Sequence, residues 1–258
     1  MDSYLYNIKD YLIYESIIMT HSIGFYYNCY KNRHATENIL KQLRSIYPDE
    51  PVYLLSDHGD DFSDIAATYN CHYKYSPIQI LGGRIINDVK HMCLTDETCA
   101  KAYIGEISAA IEYCKTDYIV LMEDDVFIHG KIQHFPQHAG GDTNINCFQV
   151  MVHDFEPIRH YYPTIQFDYW NLGGGSILHC GTIMECFRNT PFTEIRRFDY
   201  LCKSPFELWH TNDILLNYLL MINGKTADRW TNTEASMIAH PDKRFYSKIN
   251  PKLGIYRI

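Results

Sequence analysis

The stretch YIVLMEDDVFIHG, from Tyr118 to Gly130, joins a short buried-strand pattern to three consecutive acids. Its first five residues are apolar, Glu123, Asp124 and Asp125 follow, and an apolar segment then resumes. Adjacent carboxylates repel one another and lose solvation when partly buried, and a divalent cation, which prefers oxygen ligands, would relieve both costs. A solvated turn of ordinary surface acids is the alternative, but an exposed turn rarely needs apolar residues on both sides. The stretch therefore favours a strand that ends at a cation site.

The composition indicates an ordinary folded chain, long enough for one large domain or two small ones. It has 258 residues, 46% of them hydrophobic, with a net charge of −8 and a sequence pI near 5.9. The acidic balance argues against a broad nucleic-acid surface. No apolar run reaches the roughly 18 residues of a membrane helix, and the first residues lack a basic leader, so we expect neither a transmembrane segment nor a signal peptide.

The cysteines predict a reducing compartment. There are nine of them, an odd number, and no CxxC pair occurs. This pattern is typical of reduced core thiols in a cytosolic protein and not of a disulfide framework. We therefore expect a cytoplasmic location.

Strand-like and helix-like segments alternate in the first half of the chain. Apolar runs predict strands at 22–28, 52–56, 72–75 and 118–122, and helical periodicity predicts helices at 36–47, 61–70 and 101–114. Such alternation predicts an α/β fold with a mostly parallel central sheet covered by helices on both faces.

The second half is less regular. The segment HAGGD, 138–142, is predicted as a loop and 147–153 as a strand, and the glycine cluster within 170–180 is expected to enter a strand. Residues 212–223 predict a helix that ends at a Gly224 cap.

The acidic triplet resembles the Asp-x-Asp element of GT-A-fold glycosyltransferases, in its Glu-x-Asp form. Four further segments resemble that family's elements in its order along the chain: PVYLLSDHGDDFSDIA at 51–66, NLGGGSILHC at 171–180, HTNDILLNYLL at 210–220 and AHPDKRFY at 239–246. The pattern covers about residues 20–246. It implies a single GT-A-like, Rossmann-like domain over 1–258, in which about 20–130 binds a nucleotide-sugar and about 131–258 binds the acceptor.

The resemblance also implies roles for individual residues. Asp125 and His240 would hold a divalent cation, Mn²⁺ or Mg²⁺, and Asp213 would be the catalytic base. Nucleotide-sugar contacts are expected from Asp57, Arg84, Glu123, Asp124 and Lys243. Acceptor contacts are expected from Trp170, Gly174, Gly175, Trp209 and His210. The chain departs from the family pattern in having Asn-Asp before the last helix, where Glu-Asp is commoner, and three glycines in a row.

Several of these residues also have ordinary structural interpretations. Asp57 could cap the helix at 61–70. Asp213 could stabilise its own helix, since an acid in the first turn interacts favourably with the helix dipole. Trp170 and Trp209 could belong to the core, and His240 could be an ordinary surface or core histidine. Asp61 and Asp64 are expected to be capping and surface acids.

The implied reaction is metal-dependent transfer of a sugar from a nucleoside-diphosphate donor, expected to be a UDP-sugar, to a hydroxyl acceptor. A single base predicts inversion at the anomeric carbon, with a retaining route as the alternative. Two other function classes stay open. A nucleotidyltransferase of related fold would normally carry a glycine-rich basic loop after the first strand, and NCYKNRHATEN has no glycine. A non-catalytic carbohydrate-binding protein would be expected to lose the acids that this chain keeps.

Overall fold

The computed structural model describes residues 21–80, 84–86, 89–91, 97–136, 140–142, 163–164, 172–194, 211–229 and 237–239. Up to the acidic triplet, strands and helices alternate as β1 (Ile23–Cys29), α1 (Arg33–Ile46), β2 (Val52–Ser56), α2 (Ser63–Thr68), β3 (His72–Tyr75), β4 (Arg84–Ile86), β5 (Val89–His91), α3 (Glu97–Cys114) and β6 (Tyr118–Met122). After it come β7 (Phe127–Ile128), β8 (Gly140–Asp142), β9 (Ile177–His179), α4 (Cys180–Asn189), α5 (Thr211–Ile222), β10 (Ala227–Arg229) and β11 (Ile238–Ala239).

The central sheet is mixed but mostly parallel, in the order β10-β8-β9-β6-β1-β2-β3. β1 is parallel to both β2 and β6, β2 is parallel to β3, and β8 is parallel to β10. Among the seven described strands of this sheet, only β9 runs antiparallel to its neighbours, β6 and β8. β4 with β5, and β7 with β11, form two small antiparallel pairs. The carboxyl ends of β2, β1 and β6 therefore lie side by side at one edge of the sheet.

Alternating side chains of the strands fill a separate hydrophobic core on each face of the sheet. Tyr53 and Leu55 of β2 pack on the face covered by α3, α4 and α5. Val52 and Leu54 pack on the face covered by α1 and α2. This is the period of two expected of a strand buried on both sides, and it confirms the predicted α/β fold with helices on both faces.

Most predicted elements are found close to their expected positions. Strands 52–56, 72–75 and 118–122 agree at both ends, and the long helix before β6 begins four residues earlier than the predicted 101. Gly224 follows α5 with a φ of 65°, the left-handed conformation of a helix C-terminal glycine, as predicted.

One prediction in the second half was wrong, and one helix was missed. HAGGD was expected to be a loop, but Gly140–Asp142 is the strand β8, which lies between β9 and β10. Glycine has no side chain to give an alternating apolar pattern, so the sequence did not indicate this strand. Backbone pairing with the neighbouring strands holds β8 in place. The glycine cluster enters the strand β9 as predicted, and Cys180 then begins helix α4, which the sequence reasoning missed. The predicted strand at 147–153 lies outside the described residues.

Among the described cysteines, Cys29, Cys71, Cys114, Cys180 and Cys186 are free thiols. In the part of the chain that the structure describes, no helix has the length and apolar character needed to cross a membrane.

Candidate active site at the carboxyl edge of the sheet

The acidic triplet forms a tight turn where β6 ends. The backbone N–H of Val126 donates to the carbonyl of Glu123 at 3.1 Å, which closes a four-residue turn. Asp124 and Asp125 are its two central residues. We call Glu123–Val126 the acidic turn.

The acidic turn shares this edge of the sheet with Asp57. Asp57 follows β2 as Glu123 follows β6, and β1 lies between the two strands, with Cys29 level with Ser56 and Tyr27 level with Met122. Ligands of open α/β sheets bind beyond the carboxyl ends of the strands. The tertiary structure therefore brings two segments that are far apart in sequence to one candidate site.

Asp57 is buried, with 2% of its surface exposed, and its Oδ1 accepts a hydrogen bond from the backbone N–H of Ile80 at 2.5 Å. The alternative interpretation of Asp57 as the cap of the following helix is wrong. The residue at the N-cap of α2 is Phe62, and the acid next to it, Asp61, accepts from the N–H of Ser63 through Oδ1 at 2.9 Å. Asp64 is an exposed acid paired with Arg33, as expected. Asp57 instead fixes the chain that follows β3 at the edge of the site.

Burial is unusual for the two central acids of the turn. Asp125 is 0% exposed and Asp124 is 9% exposed. Burial, with the negative charges of Asp125 and Glu123 nearby, raises the pKa of Asp124 to about 7. Carboxylates in such a place require compensation by positive charge, hydrogen bonds or a proton. The expectation of a solvated surface turn is therefore wrong for these two side chains.

Asp124 is held from β1 and α1. The hydroxyl of Tyr27 donates to Asp124 Oδ1 at 3.0 Å, and Thr36 Oγ1 lies 3.3 Å from the same oxygen. Tyr27 and Thr36 are each 0% exposed. Sequence reasoning missed both residues, because a tyrosine in an apolar strand and a threonine in a helix carry no local signal of a distant partner.

The glycine segment lies directly against the acidic turn. A Cβ added to Gly174 would lie 3.0 Å from Glu123 Cδ and 3.0 Å from Val126 Cγ2. The N–H of Gly175, which has a φ of 89°, donates to the carbonyl of Leu121 at 2.7 Å. The left-handed backbone at Gly175 favours glycine, and a Cβ at Gly174 would require Glu123 or Val126 to shift by a few tenths of an ångström.

The pairing of β7 with β11 brings the C-terminal part of the chain to the same place. Ala239 is opposite Phe127, and the N–H of His129 donates to the carbonyl of Met237 at 2.9 Å. Phe127 is two residues beyond Asp125. The described part of β11 therefore ends beside the acidic turn.

His58 and Tyr75 form an exposed aromatic pair next to Asp57, and sequence reasoning also missed it. The Tyr75 hydroxyl and His58 Nδ1 are 3.5 Å apart, and 45% of the Tyr75 surface is exposed. His58 has a φ of 57°, which is uncommon for a residue other than glycine. Such backbone conformations cluster at ligand sites, and this one was not readable from the sequence.

The remaining predicted site residues are only partly placed. The structure gives Arg84 a backbone position in β4 and Asp213 one in the first turn of α5. The others lie outside the described residues, namely Trp170, Trp209, His210, His240 and Lys243.

The donor set of the acidic turn fits a hard divalent cation. Within the described ranges, no three histidine, cysteine or acidic side chains converge on a point that could hold a metal ion. Mg²⁺, however, is often held by one or two carboxylates together with water and substrate phosphates. The buried carboxylate of Asp125 meets that requirement, while a closed structural site of the zinc kind does not match the described residues.

No protein-family model matches the sequence, and no curated protein matches it. Solved structures give a likeness in fold. The galactosyltransferase LgtC in complex with donor and acceptor sugar analogues matches with a TM-score of 0.49 and 13% identity, over 81% of this chain and 73% of LgtC. Glucosyl-3-phosphoglycerate synthase from Mycobacterium tuberculosis matches with a TM-score of 0.38 and 11% identity, over 73% and 82%. The bifunctional glycosyltransferase WbbM gives 0.38 and 8%, over 78% and 38%.

These are likenesses in fold at low identity, and they assign no subfamily. Likeness at this level does not identify a reaction.

Proposed function

We propose that this protein is a metal-dependent glycosyltransferase, which moves a sugar from a nucleoside-diphosphate donor to a hydroxyl acceptor. The observation that carries the proposal is the buried acidic turn beside Asp57, with the Gly174 backbone packed against Glu123. One edge of the sheet thus offers carboxylates for a cation and a buried acid for a nucleotide. The close approach of the Gly174 backbone to Glu123 also brings the glycine segment to this edge of the sheet.

The nucleotide would lie over the carboxyl ends of β1 and β2. Asp57 would accept a hydrogen bond from the base or ribose, and the exposed rings of His58 and Tyr75 offer a face on which a base can stack. Glu123 would face the ribose or a water on the cation. Arg84 and Lys243 are the proposed cationic partners of the diphosphate. UDP-sugars are the first donors to test.

Asp125 is the proposed cation ligand from the acidic turn, with Mn²⁺ or Mg²⁺ as the ion. His240 is the second proposed ligand. It is the next residue in sequence after Ala239, which pairs with Phe127 two residues from Asp125. A bound cation would offset the negative charge that develops on the departing diphosphate.

Asp213 is the proposed general base, acting on the acceptor hydroxyl from the first turn of α5. Removing that proton as the oxygen attacks the anomeric carbon makes the oxygen a better nucleophile. One base and one displacement give inversion at that carbon. Gly174, Gly175, Trp170, Trp209 and His210 are the proposed acceptor contacts, since backbone without a Cβ and aromatic rings both suit a sugar face.

Calorimetric titration with a panel of nucleotides and nucleotide-sugars, with and without Mn²⁺, tests the proposal. We expect a nucleoside-diphosphate sugar to bind only when Mn²⁺ is present. Tight binding of a nucleoside triphosphate in preference to any diphosphate sugar would favour a nucleotidyltransferase. Binding of free glycans with no nucleotide binding would favour a non-catalytic carbohydrate-binding protein.

A further inference from the structure

The hydroxyl of Tyr27 is placed to set the geometry of the acidic turn. Tyr27 lies in β1, where its backbone pairs with Met122, and its side chain is buried in the core beneath α1. From there its hydroxyl reaches Asp124 Oδ1 at 3.0 Å. A rigid ring in a packed core is a precise support, because it has few rotamers and no room to move.

Thr36 is the weaker of the two contacts to Asp124. Its Oγ1 lies 3.3 Å from Asp124 Oδ1 and 3.1 Å from the carbonyl of Asn32. A hydroxyl carries one proton, so Thr36 cannot donate to both acceptors at once. The nearer acceptor is Asn32, which leaves Tyr27 as the principal donor to Asp124.

Because Asp124 is held in this way, neighbouring acids of the turn have different contacts. Glu123 packs against Gly174, and Asp124 is directed to Tyr27 and Thr36. With Asp124 engaged on the side of β1, the backbone of the turn is fixed at the residue immediately before Asp125. Partners that fix the first ligands of a metal site in this way commonly contribute 10-fold to 100-fold to metal affinity.

We propose that Tyr27 is a positioning residue of the cation site, which acts through Asp124 to hold the acidic turn so that Asp125 can bind the metal. This inference rests on the proposed function, because it requires that the turn binds a cation. Tyr27 itself touches neither the cation nor the sugar.

The test is a titration of Mn²⁺ followed by electron paramagnetic resonance, in the presence of UDP. Tyr27→Phe removes one oxygen atom and keeps the ring, and we expect it to weaken Mn²⁺ binding about tenfold. Tyr26→Phe is the matched control. Tyr26 is the neighbouring buried tyrosine of β1, its ring packs in the core on the opposite face of the sheet, and its hydroxyl has no hydrogen-bond partner among the described residues. We expect Tyr26→Phe to bind Mn²⁺ as the parent does.

A double-mutant cycle asks whether Tyr27 acts through Asp124 or merely stabilises the fold. Asp124→Ala should weaken Mn²⁺ binding, and adding Tyr27→Phe to it should weaken binding no further. Asp124→Asn keeps an oxygen that accepts from Tyr27, so it should lose less affinity than Asp124→Ala. Independent, additive losses in the cycle would contradict the proposal.

The outcomes separate the two proposals. If the parent binds Mn²⁺ and Tyr27→Phe binds it equally well, the positioning role is wrong while the proposed function stands. Equal losses in Tyr27→Phe and Tyr26→Phe also overturn it. If the parent binds no Mn²⁺ with UDP, the proposed function fails and the positioning role fails with it. Should Tyr27→Phe not fold, Asp124→Asn and Asp124→Ala test the same contact from its other end, and equal Mn²⁺ affinities in those two variants count against the proposal.

Discussion

Gly174 lies against Glu123 so closely that a single added carbon would meet the glutamate side chain at 3.0 Å. One residue belongs to the glycine segment before β9 and the other to the acidic turn after β6. Their contact joins the proposed acceptor side of the site to the proposed donor side. It also explains why the backbone near the turn carries no side chain at this point.

Gly174→Ala should disturb the site through this contact. The new Cβ would press on Glu123 Cδ and on Val126 Cγ2, and the valine is stiff because its side chain is branched at Cβ. Overpacking of this kind costs about 1 to 3 kcal/mol of stability. We expect that loss in denaturant unfolding and weaker binding of the donor in calorimetry.

Gly105→Ala is the matched control for Gly174→Ala. Gly105 lies inside α3, and a Cβ added there has nothing within 4 Å. Alanine should therefore raise the free energy of unfolding by about 0.5 to 1 kcal/mol and leave donor binding as in the parent. Equal behaviour of the two variants in donor binding would show that the contact between Gly174 and Glu123 does not matter for the ligand.

Asp125→Ala tests the cation ligand. Removing the buried carboxylate should weaken binding of a UDP-sugar in Mn²⁺ by at least about tenfold, since loss of even an outer partner of a metal ligand costs that much. Asp64→Ala removes an acid whose side chain is 70% exposed and should leave donor binding unchanged. Calorimetry in Mn²⁺ measures both. An Asp125→Ala protein that binds donor as tightly as the parent would place the cation elsewhere.

Asp213→Asn tests the general base. The amide has the same shape, so donor affinity should barely change, while the rate of transfer should fall by a factor on the order of 10² to 10⁴. If Asp213 only stabilises α5 through the helix dipole, the same change should lower the free energy of unfolding by about 0.3 to 1 kcal/mol and leave the rate of transfer unchanged. Thermal unfolding, donor affinity and initial rate on one preparation distinguish the two roles. A destabilised variant with near-normal turnover would move the search for a base to Glu207 or His210.

Asp117 links the starts of β1 and β6 and should make stability depend on pH. Its Oδ2 accepts from the backbone N–H of Ser22 at 2.9 Å and from Ser22 Oγ at 2.8 Å. These two hydrogen bonds lower the pKa of Asp117 below its ordinary value. The carboxylate therefore contributes stability fully at pH values above its unfolded pKa of about 3.9, and that contribution is lost as pH falls through the lower, folded pKa.

Asp117→Asn should accordingly destabilise the protein at pH 7, and its difference from the parent should shrink once both side chains are neutral in acid. Ser22→Ala removes a hydroxyl that donates to Asp117 Oδ2 and accepts from the backbone N–H of Asp117 at 2.9 Å. It keeps the backbone N–H of Ser22 as a donor to the carboxylate, so the pH-dependent part of its loss should be smaller than that of Asp117→Asn. Denaturant unfolding at pH 7 and near pH 3 measures both variants. A loss that is equal at the two pH values would mean that the charge of Asp117 contributes nothing.

The buried thiols should resist alkylation in the native state. Burial raises the pKa of Cys114 and Cys186 to about 11 and that of Cys180 to about 12. The thiolate is the reactive form, so these cysteines should stay unmodified by iodoacetamide at pH 8 and react after unfolding. Cys71, which is partly exposed, should react first among the described cysteines. Mass spectrometry of freshly isolated protein should find no intact disulfide, and several would overturn the predicted reducing compartment.

The sequence by itself determined the strands and helices whose apolar pattern can be read from neighbouring residues. Val52–Ser56 and Tyr118–Met122 are apolar runs of strand length, and the pattern predicts that the acids after the second run lie at a ligand-binding edge. For Asp57, after the first run, a ligand contact is predicted only by the family resemblance. Apolar periodicity reports which residues are removed from water, and that property can be read from a few neighbouring positions. The same signal predicted helices on both faces of the sheet.

Only the tertiary structure decided which distant groups meet. Nothing near Asp124 in sequence indicates that Tyr27 holds it, nothing near Glu123 indicates Gly174, and the strand Gly140–Asp142 has no apolar pattern of its own. Hydrogen-bond partners and backbone ladders depend on which elements become neighbours in the sheet. That order is set by the packing of the whole chain, because a backbone N–H or a buried carboxylate takes whichever partner the fold places within about 3 Å of it.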